Sequence, residues 1–217
     1  MTATNTPESA RQPLTREAIV AAAIALADVD GVGQLSMRKL ARSLGFEVMS
    51  LYNHVANKNE LLSAMVDAVT AEIAPPPADA APLDAVRAIA VATRAMLVEH
   101  QWAASLWQQH LPGPIRIAFM ERLLELLHDS NLSPEMAHHG FHAIPNHVFG
   151  YTLQELDMTM GDDDPAATIA AFLDGLSPTE HPFMIAHVQQ HVDGDTAPSF
   201  ELVLDLILDG LQRRSTR

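Results

Sequence analysis

The sequence predicts an all-α protein built from two helical parts. Nearly every segment after residue 13 places apolar residues at helical spacing, and no strand-like alternation of five or more residues stands out. The run Pro75-Pro76-Pro77 interrupts the pattern, because proline lacks the backbone N–H and clashes with the preceding turn. We therefore expect a flexible N-terminus over 1–13, a small helical domain over 14–74 and a larger all-helical domain over 75–217.

Helix-capping residues delimit the helices of the smaller domain. Thr15 and Ser36 are suitable N-caps, and Gly45 is suited to end a helix. Asn57 and Glu60 have the spacing of a capping box, in which Asn57 accepts from the N–H three residues on and Glu60 reaches back to Asn57. The helices predicted in this way run over Leu14–Asp30, Ser36–Leu44, about Val48–Val55 and about Lys58–Ile73.

The larger domain is expected to hold seven helices. They are predicted near 83–100, 102–110, 114–130, 134–158, 165–174, 179–192 and 198–213. Ser133-Pro134 and Ser177-Pro178 indicate helix starts with proline at the first helical position. Pro145, inside the fourth of these segments, is expected to kink or split it.

Composition and charge exclude several classes of protein. Without cysteine there is no disulfide framework, no thiol catalysis and no Cys-ligated metal site. No apolar run approaches the roughly 20 residues of a membrane span, and the polar N-terminus lacks a signal peptide, so a cytosolic protein without membrane partners is expected. The net charge is −14, yet residues 1–60 hold six basic and six acidic side chains. The acidic excess therefore lies entirely after residue 60.

The second and third helices have the form of a helix-turn-helix. A short turn at Gly45 joins Ser36–Leu44 to a helix from Val48 that is too short to be stable alone. In this motif the second helix lies in the DNA major groove, while the first crosses the phosphate backbone. The near-neutral charge of this part of the chain is compatible with that partner.

The stretch from Leu14 to about Val69 resembles the DNA-binding domain of the TetR family of bacterial repressors, and is most similar to the tetracycline-repressor branch. The most specific matches are Leu35-Ser36-Met37-Arg38-Lys39-Leu40-Ala41, the turn Leu44-Gly45, and Leu51-Tyr52-x-His54-Val55-x-Asn57-Lys58-x-x-Leu61-Leu62. The resemblance implies an N-terminal three-helix helix-turn-helix DNA-binding domain joined to a larger helical ligand-binding and dimerisation domain. It implies a repressor that binds a palindromic operator in double-stranded DNA as a homodimer and is released by a small molecule.

The resemblance also assigns DNA-binding positions. Val48, Met49, Ser50 and Asn53 would read bases, with the two apolar side chains suited to thymine methyl groups and therefore to an operator unlike that of the tetracycline repressors. The full predicted set is Ser36, Met37, Arg38, Val48, Met49, Ser50, Tyr52, Asn53, His54 and Lys58. Tyr52 and Lys58 would contact phosphate and His54 would flank the groove; the alternatives are a packed Tyr52, a capping His54 and a solvated Lys58.

The larger domain supplies candidates for the wall of an apolar pocket that would take an apolar or aromatic effector. They are Met96, Trp102, Trp107, Phe119, Met120, Phe141, His142, Phe149 and Tyr151, for which ordinary core or interface packing is the alternative. No cofactor or metal is expected. His138 and His142 have a chelating spacing, but Leu106 and Gln154 stand where the tetracycline repressors hold their metal.

Two-fold pairing is expected from the long apolar faces of 134–158 and 198–213, which would form a four-helix bundle between two copies.

An all-helical enzyme is the main alternative to a DNA-binding regulator, although no Gly-rich phosphate loop and no Ser/His/Asp trio in a known local context is found. A non-specific DNA-packaging protein would need excess positive charge. No residue distinguishes an activator from a repressor.

Overall fold

The computed structural model describes residues 13–160, 164–192 and 199–215, and within these ranges it contains α-helices, one 3₁₀ turn and no strand. The all-α prediction is therefore confirmed. The helices are α1 Arg16–Asp30, α2 Met37–Leu44, α3 Val48–Tyr52, α4 Lys58–Thr70, α5 Pro82–Glu99, α6 Gln101–Leu106, α7 Pro114–Asp129, α8 Pro134–Met160, α9 Pro165–Asp174, α10 Pro182–Val192 and α11 Phe200–Ser215. We call α1–α4 the head and α5–α11 the body.

The head is a small bundle around fully buried apolar side chains that include Ile19, Leu40, Leu51, Leu61 and Met65. The predicted N-caps are confirmed, because the hydroxyl of Thr15 accepts from the N–H of Ala18 (3.1 Å) and that of Ser36 from the N–H of Lys39 (3.2 Å). Gly45 ends α2 in the left-handed conformation (φ 71°), which favours glycine. The turn of the helix-turn-helix thus follows from local sequence.

The capping box of α4 differs from its prediction in one bond. Asn57 accepts from the N–H of Glu60 (2.9 Å) as expected, but Glu60 reaches back to the N–H of Ala56 (2.6 Å) instead of Asn57. The same carboxylate accepts from Arg16 of α1 (2.9 Å). The start of α4 is consequently attached to α1 as well as capped.

The helix α3 ends at Tyr52, earlier than the predicted Val55. The N–H groups of His54 and Val55 both donate to the carbonyl of Leu51, which turns the chain out of the helix. Val55 is then buried in the head core, and burying it favours this turn over continued helix.

Proline begins five body helices: Pro82, Pro114, Pro134, Pro165 and Pro182 are each the first residue. The first helical residue needs no N–H partner, which explains the preference. The predicted start near Pro178 is wrong. There the carbonyl of Ser177 accepts from Glu180 and His181 in a turn, and α10 begins at Pro182.

The helix α8 continues through Pro145, so the predicted split does not occur. Because Pro145 has no N–H, the carbonyl of Phe141 lacks its usual donor within the helix. Packing of α8 against α5 and α11 supports the helix on both sides of the proline. Arg94 of α5 bonds Glu155 of α8, and Arg87 bonds Glu201 and Asp205 of α11, which fixes these helices together. None of the described helices has the length and apolar character needed to cross a membrane.

Candidate DNA-binding surface and ligand cavity

The face of α3 predicted to read bases is displayed outward. Leu51 is 0% exposed and anchors the helix on the head core, whereas Met49 is 72% exposed. Asn53 is exposed and Val48 and Ser50 are half-buried on the flanks. One buried anchor with exposed neighbours suits a helix whose free surface is used for binding.

Phosphate-contacting candidates flank α3. Tyr52 is 40% exposed at its C-terminal end, so the alternative of a packed tyrosine is not favoured, and His54 is half-buried beside it. Arg38 is exposed, and no hydrogen bond or ion pair occupies it in the described part of the chain. Ser36 is exposed and serves as the N-cap of α2.

The ammonium group of Lys58 is held beside the start of α2. Its Nζ donates to the carbonyl of Leu35 (2.6 Å), which leaves two of three N–H donors for another partner. Lys39, in contrast, is paired with Asp30 (2.8 Å) and is partly neutralised. Lys58 is therefore the better placed of the two lysines for a phosphate.

Met37 is in a different position from the rest of the predicted set. Its side chain is 8% exposed and belongs to the head core, so a DNA contact from this side chain is not compatible with its place in the fold. Sequence reasoning missed this because the N-cap at Ser36 defines the helix start but not which face of the first turn is inward.

A mainly apolar cavity of about 240 Å³ lies in the body between α5, α7, α8 and the chain after α6. Trp107, Phe119, Met120, Phe141, His142 and Phe149 of the predicted set line it. The ring of Trp107 lies 5.9 Å from that of Phe119 and 5.0 Å from that of Phe149. These aromatic rings form one continuous wall.

Three predicted pocket residues lie elsewhere. Met96 is buried outside the cavity wall. Trp102 donates from Nε1 to Asp28 of α1 (2.6 Å), and Tyr151 packs on Phe200 with ring centroids 5.4 Å apart. Their aromatic or apolar character is used for packing between helices, which agrees with the alternative of ordinary core packing.

Three polar residues of the cavity were not predicted. Thr93, Gln108 and Asn146 line it together with the predicted His142. The lining residues recur at helical spacing on two helices. On α8 they are His142, Asn146 and Phe149, and on α5 they are Ile89 and Thr93. That spacing was visible in the sequence, but small polar residues gave no signal of their own.

Arg116 connects the cavity wall to the head. This side chain is 1% exposed, and each of its five N–H donors has a partner. Nε donates to Asp67 of α4 (2.6 Å) and Nη2 to Ser63 of α4 (2.8 Å). The remaining donors reach the carbonyls of Trp107, His110 and Leu111 at 3.2, 3.2 and 2.6 Å. Trp107 therefore contributes its ring to the cavity and its carbonyl to Arg116.

Asp67 is held from the other side by the backbone around the start of α7. It accepts from the N–H groups of Gly113 (3.2 Å) and Ile115 (3.3 Å). A Cβ at Gly113 would lie 2.1 Å from Oδ2 of Asp67, so the close approach requires glycine. The segment between α6 and α7 is thus attached to α4 by side chain and backbone.

His100 forms a second connection between body and head. It is 6% exposed between α5 and α6, and its Nδ1 and Nε2 lie 2.9 Å from Asp28 and 3.0 Å from Glu72. Burial lowers the pKa of His100, but the hydrogen bonds to Asp28 and Glu72 outweigh burial and raise the pKa above its usual value.

Comparisons with known proteins agree with this arrangement. Residues 19–65 match the family described as bacterial regulatory proteins, tetR family, and 76–215 match the tetracyclin repressor-like C-terminal domain. An HTH-type transcriptional regulator of Saccharopolyspora erythraea is 35% identical over 77% of this chain and 71% of its own length. The HTH-type transcriptional repressor DrrR1 of Streptomyces coeruleorubidus is 30% identical over 92% of this chain and 77% of its own.

A solved structure matches in the same way. ActR of Streptomyces coelicolor, crystallised with actinorhodin, superposes with a TM-score of 0.80 at 29% identity, over 94% of this chain and 100% of its own. With family models over both parts, the chain belongs to the TetR family, and it is a DNA-binding transcriptional regulator and not an enzyme.

Proposed function

We propose that this chain represses transcription as a homodimer, with one α3 per subunit in the major groove, and that a compact aromatic or apolar molecule in the body cavity releases it. The observation that carries the proposal is the continuous contact from cavity to head: Trp107 lines the cavity, and its carbonyl bonds Arg116, which bonds Asp67 of α4. We assign the DNA-binding domain to 14–74, the ligand-binding and dimerisation domain to 75–217, and the protein to the bacterial cytoplasm.

Base reading is assigned to the outward face of α3. Asn53 and Ser50 supply hydrogen bonds, whereas Val48 and Met49 suit thymine methyl groups. Ser36, Arg38, Tyr52, His54 and Lys58 lie around this face and position it on phosphates. Apart from Met37, the predicted residues therefore support one docking arrangement.

The chemistry of the cavity indicates the effector class. A volume of about 240 Å³ is below the roughly 300–1,000 Å³ of many ligand sites, which favours a compact ligand. Aromatic walls favour a planar apolar body, and Thr93, Gln108, His142 and Asn146 offer polar contacts that fix its orientation. The related ActR was crystallised with actinorhodin and with (S)-DNPA, so a relative with this fold binds small organic ligands.

A ligand that displaces Trp107 would act on the head through Arg116. Because every donor of this guanidinium is used, the segment after α6 cannot shift without straining bonds to α4. The helix α4 follows directly after the helix-turn-helix and packs on α1. A shift of α4 therefore changes where α3 is presented.

Dimerisation is supported by apolar side chains left exposed on neighbouring helices of one chain. Leu153 of α8 and Leu202 and Leu206 of α11 are 42%, 59% and 57% exposed. Pairing α8 and α11 across a two-fold axis would bury them, and two heads are needed to read a palindromic operator. A monomer by light scattering at micromolar concentration would contradict this part.

Selection of bound duplexes from a random pool tests the DNA-binding part. We expect a two-fold sequence, which gel-shift titrations then examine with matched and mismatched duplexes. Asn53→Ala should relax base preference, whereas Lys58→Ala should weaken binding to all duplexes alike. Arg122→Ala, at an exposed cation of α7, is the matched control and should change neither quantity. Unchanged preference in Asn53→Ala would contradict the assignment of base reading.

A further inference from the structure

Four side chains capable of binding a cation meet where head and body touch, away from both the cavity and Arg116. Asp28 belongs to α1 and Glu72 follows α4, whereas Glu99 ends α5 and His100 precedes α6. One ligand atom each of Glu72, Glu99 and His100 lies within 4.8 Å of the other two. Oxygen and imidazole nitrogen ligands from two parts of the chain therefore converge on one point.

The imidazole of His100 is fixed with one nitrogen facing this point. Asp28 accepts from Trp102 Nε1 (2.6 Å) and lies 2.9 Å from Nδ1 of His100. An ionised carboxylate only accepts, so Nδ1 donates to Asp28, and Nε2 donates to Glu72 (3.0 Å) when the imidazole is charged. Loss of the Nε2 proton leaves a lone pair directed at Glu72, with Nδ1 still bound to Asp28. A carboxylate that orients the far nitrogen of a histidine is the usual support of a metal-binding imidazole.

The charge balance at this point favours a cation. Three carboxylates surround one imidazole, and no Lys or Arg of the described chain bonds any of them. Glu99 has no hydrogen-bond or ion-pair partner among the described residues, although it is exposed beside Glu72. Adjacent like charges repel, and a dication offsets that repulsion where one imidazolium does so only in part.

We propose that Glu72, Glu99 and His100 bind a divalent first-row transition-metal ion, with Nε2 and one oxygen of each carboxylate as ligands. The ion takes the place of the proton that Nε2 shares with Glu72. Imidazole with carboxylate oxygen suits Zn²⁺, Co²⁺ or Mn²⁺, and the exposure of both glutamates leaves positions for water.

Metal binding here would regulate the junction independently of the cavity. Glu72 belongs to the head, whereas Glu99 and His100 belong to the body, so the ion would hold the two parts in one relative orientation. This role goes beyond the proposed response to an organic effector, because none of the three ligands lines the cavity.

The test is titration of the chelator-treated full-length protein with Co²⁺, followed by visible absorption, and with Zn²⁺ in equilibrium dialysis. We expect one ion per chain. Glu99→Gln should weaken binding by about tenfold or more, and this variant should fold, since Glu99 is exposed and unpartnered. His100→Gln should abolish the Co²⁺ spectrum, with circular dichroism as the check on folding.

Two control variants make the outcome decisive. Glu121→Gln alters an exposed carboxylate of α7 and should bind as the unmodified protein does. His138→Gln removes one member of the pair with His142, whose rings lie 4.9 Å apart. Absence of saturable binding at one ion per chain would overturn the proposal. So would binding that His138→Gln removes and Glu99→Gln leaves unchanged.

Discussion

Replacing Arg116 by methionine is the sharpest test of how the body is attached to α4. Methionine keeps much of the side-chain length, but it removes all five N–H donors. Asp67 then remains as a largely buried carboxylate, the carbonyls of Trp107 and His110 lose their partner, and that of Leu111 keeps only the hydroxyl of Ser63 (3.0 Å). Arg116→Met should therefore destabilise the protein without creating a large cavity.

The magnitude follows from the surroundings of the pair. Removing one partner of a buried ion pair costs about 3–5 kcal/mol, because an uncompensated charge stays buried. Asp67 keeps two backbone N–H donors, from Gly113 and Ile115, which reduces that cost. We expect a loss of about 3 kcal/mol in the free energy of unfolding.

Urea denaturation followed by far-UV circular dichroism measures this loss, at one fixed protein concentration because dimerisation contributes to stability. Arg122→Met is the control on the same helix; it removes only an exposed ion pair with Glu125 and should cost about 1 kcal/mol or less. Asp67→Asn combined with Arg116→Met should recover about 1 kcal/mol or more, because no charge is then left unpaired. Equal losses in Arg116→Met and Arg122→Met would refute the reasoning.

Three further changes probe other contacts. Gly113→Ala would put a Cβ 2.1 Å from Oδ2 of Asp67, so we expect a loss of about 1–3 kcal/mol by the same denaturation assay; an unchanged midpoint would contradict the close approach. The N–H of Ala56 holds the pKa of Glu60 below its usual value, so the stabilisation by this carboxylate is present at neutral pH and disappears as the pH falls below the usual carboxyl range. The melting temperatures of Glu60→Gln and the unmodified protein should then converge in acid, and a pH-independent difference would count against this. Ala90→Phe should fill the cavity and abolish Nile red fluorescence enhancement while operator binding persists; an undiminished enhancement would place the dye elsewhere.

Much of the fold was predictable because its signals are local. Hydroxyl N-caps at Thr15 and Ser36 and the left-handed Gly45 depend on a few neighbouring residues, and the structure has them as expected. The end of α3 was misplaced because burial of Val55, a tertiary effect, competes with helix continuation. Of the kink or split expected at Pro145, the split does not occur, since packing on two sides supports the helix around it.

The cavity and the contacts between head and body were less predictable, because hydrophobic periodicity identifies the apolar face of a helix but not the helix against which that face packs. Trp102 and Trp107 belong to the same predicted helix and gave the same apolar signal in the sequence. In the structure Trp102 bonds Asp28 of α1, whereas Trp107 lines the cavity. Arg116 and His100 gave no signal at all. Their importance depends on partners from α1 and α4 that lie far away along the chain.

The proline in α8 has a consequence for ligand recognition. Both Phe141 and Pro145 line the cavity, and Pro145 has no N–H to donate to the carbonyl of Phe141. Such a group gains most from a hydroxyl or amine supplied from outside. Because it is a main-chain acceptor, we expect a ligand whose hydrogen-bond donor reaches this carbonyl to keep that bond even where substitutions in the aromatic wall change the shape that is accepted.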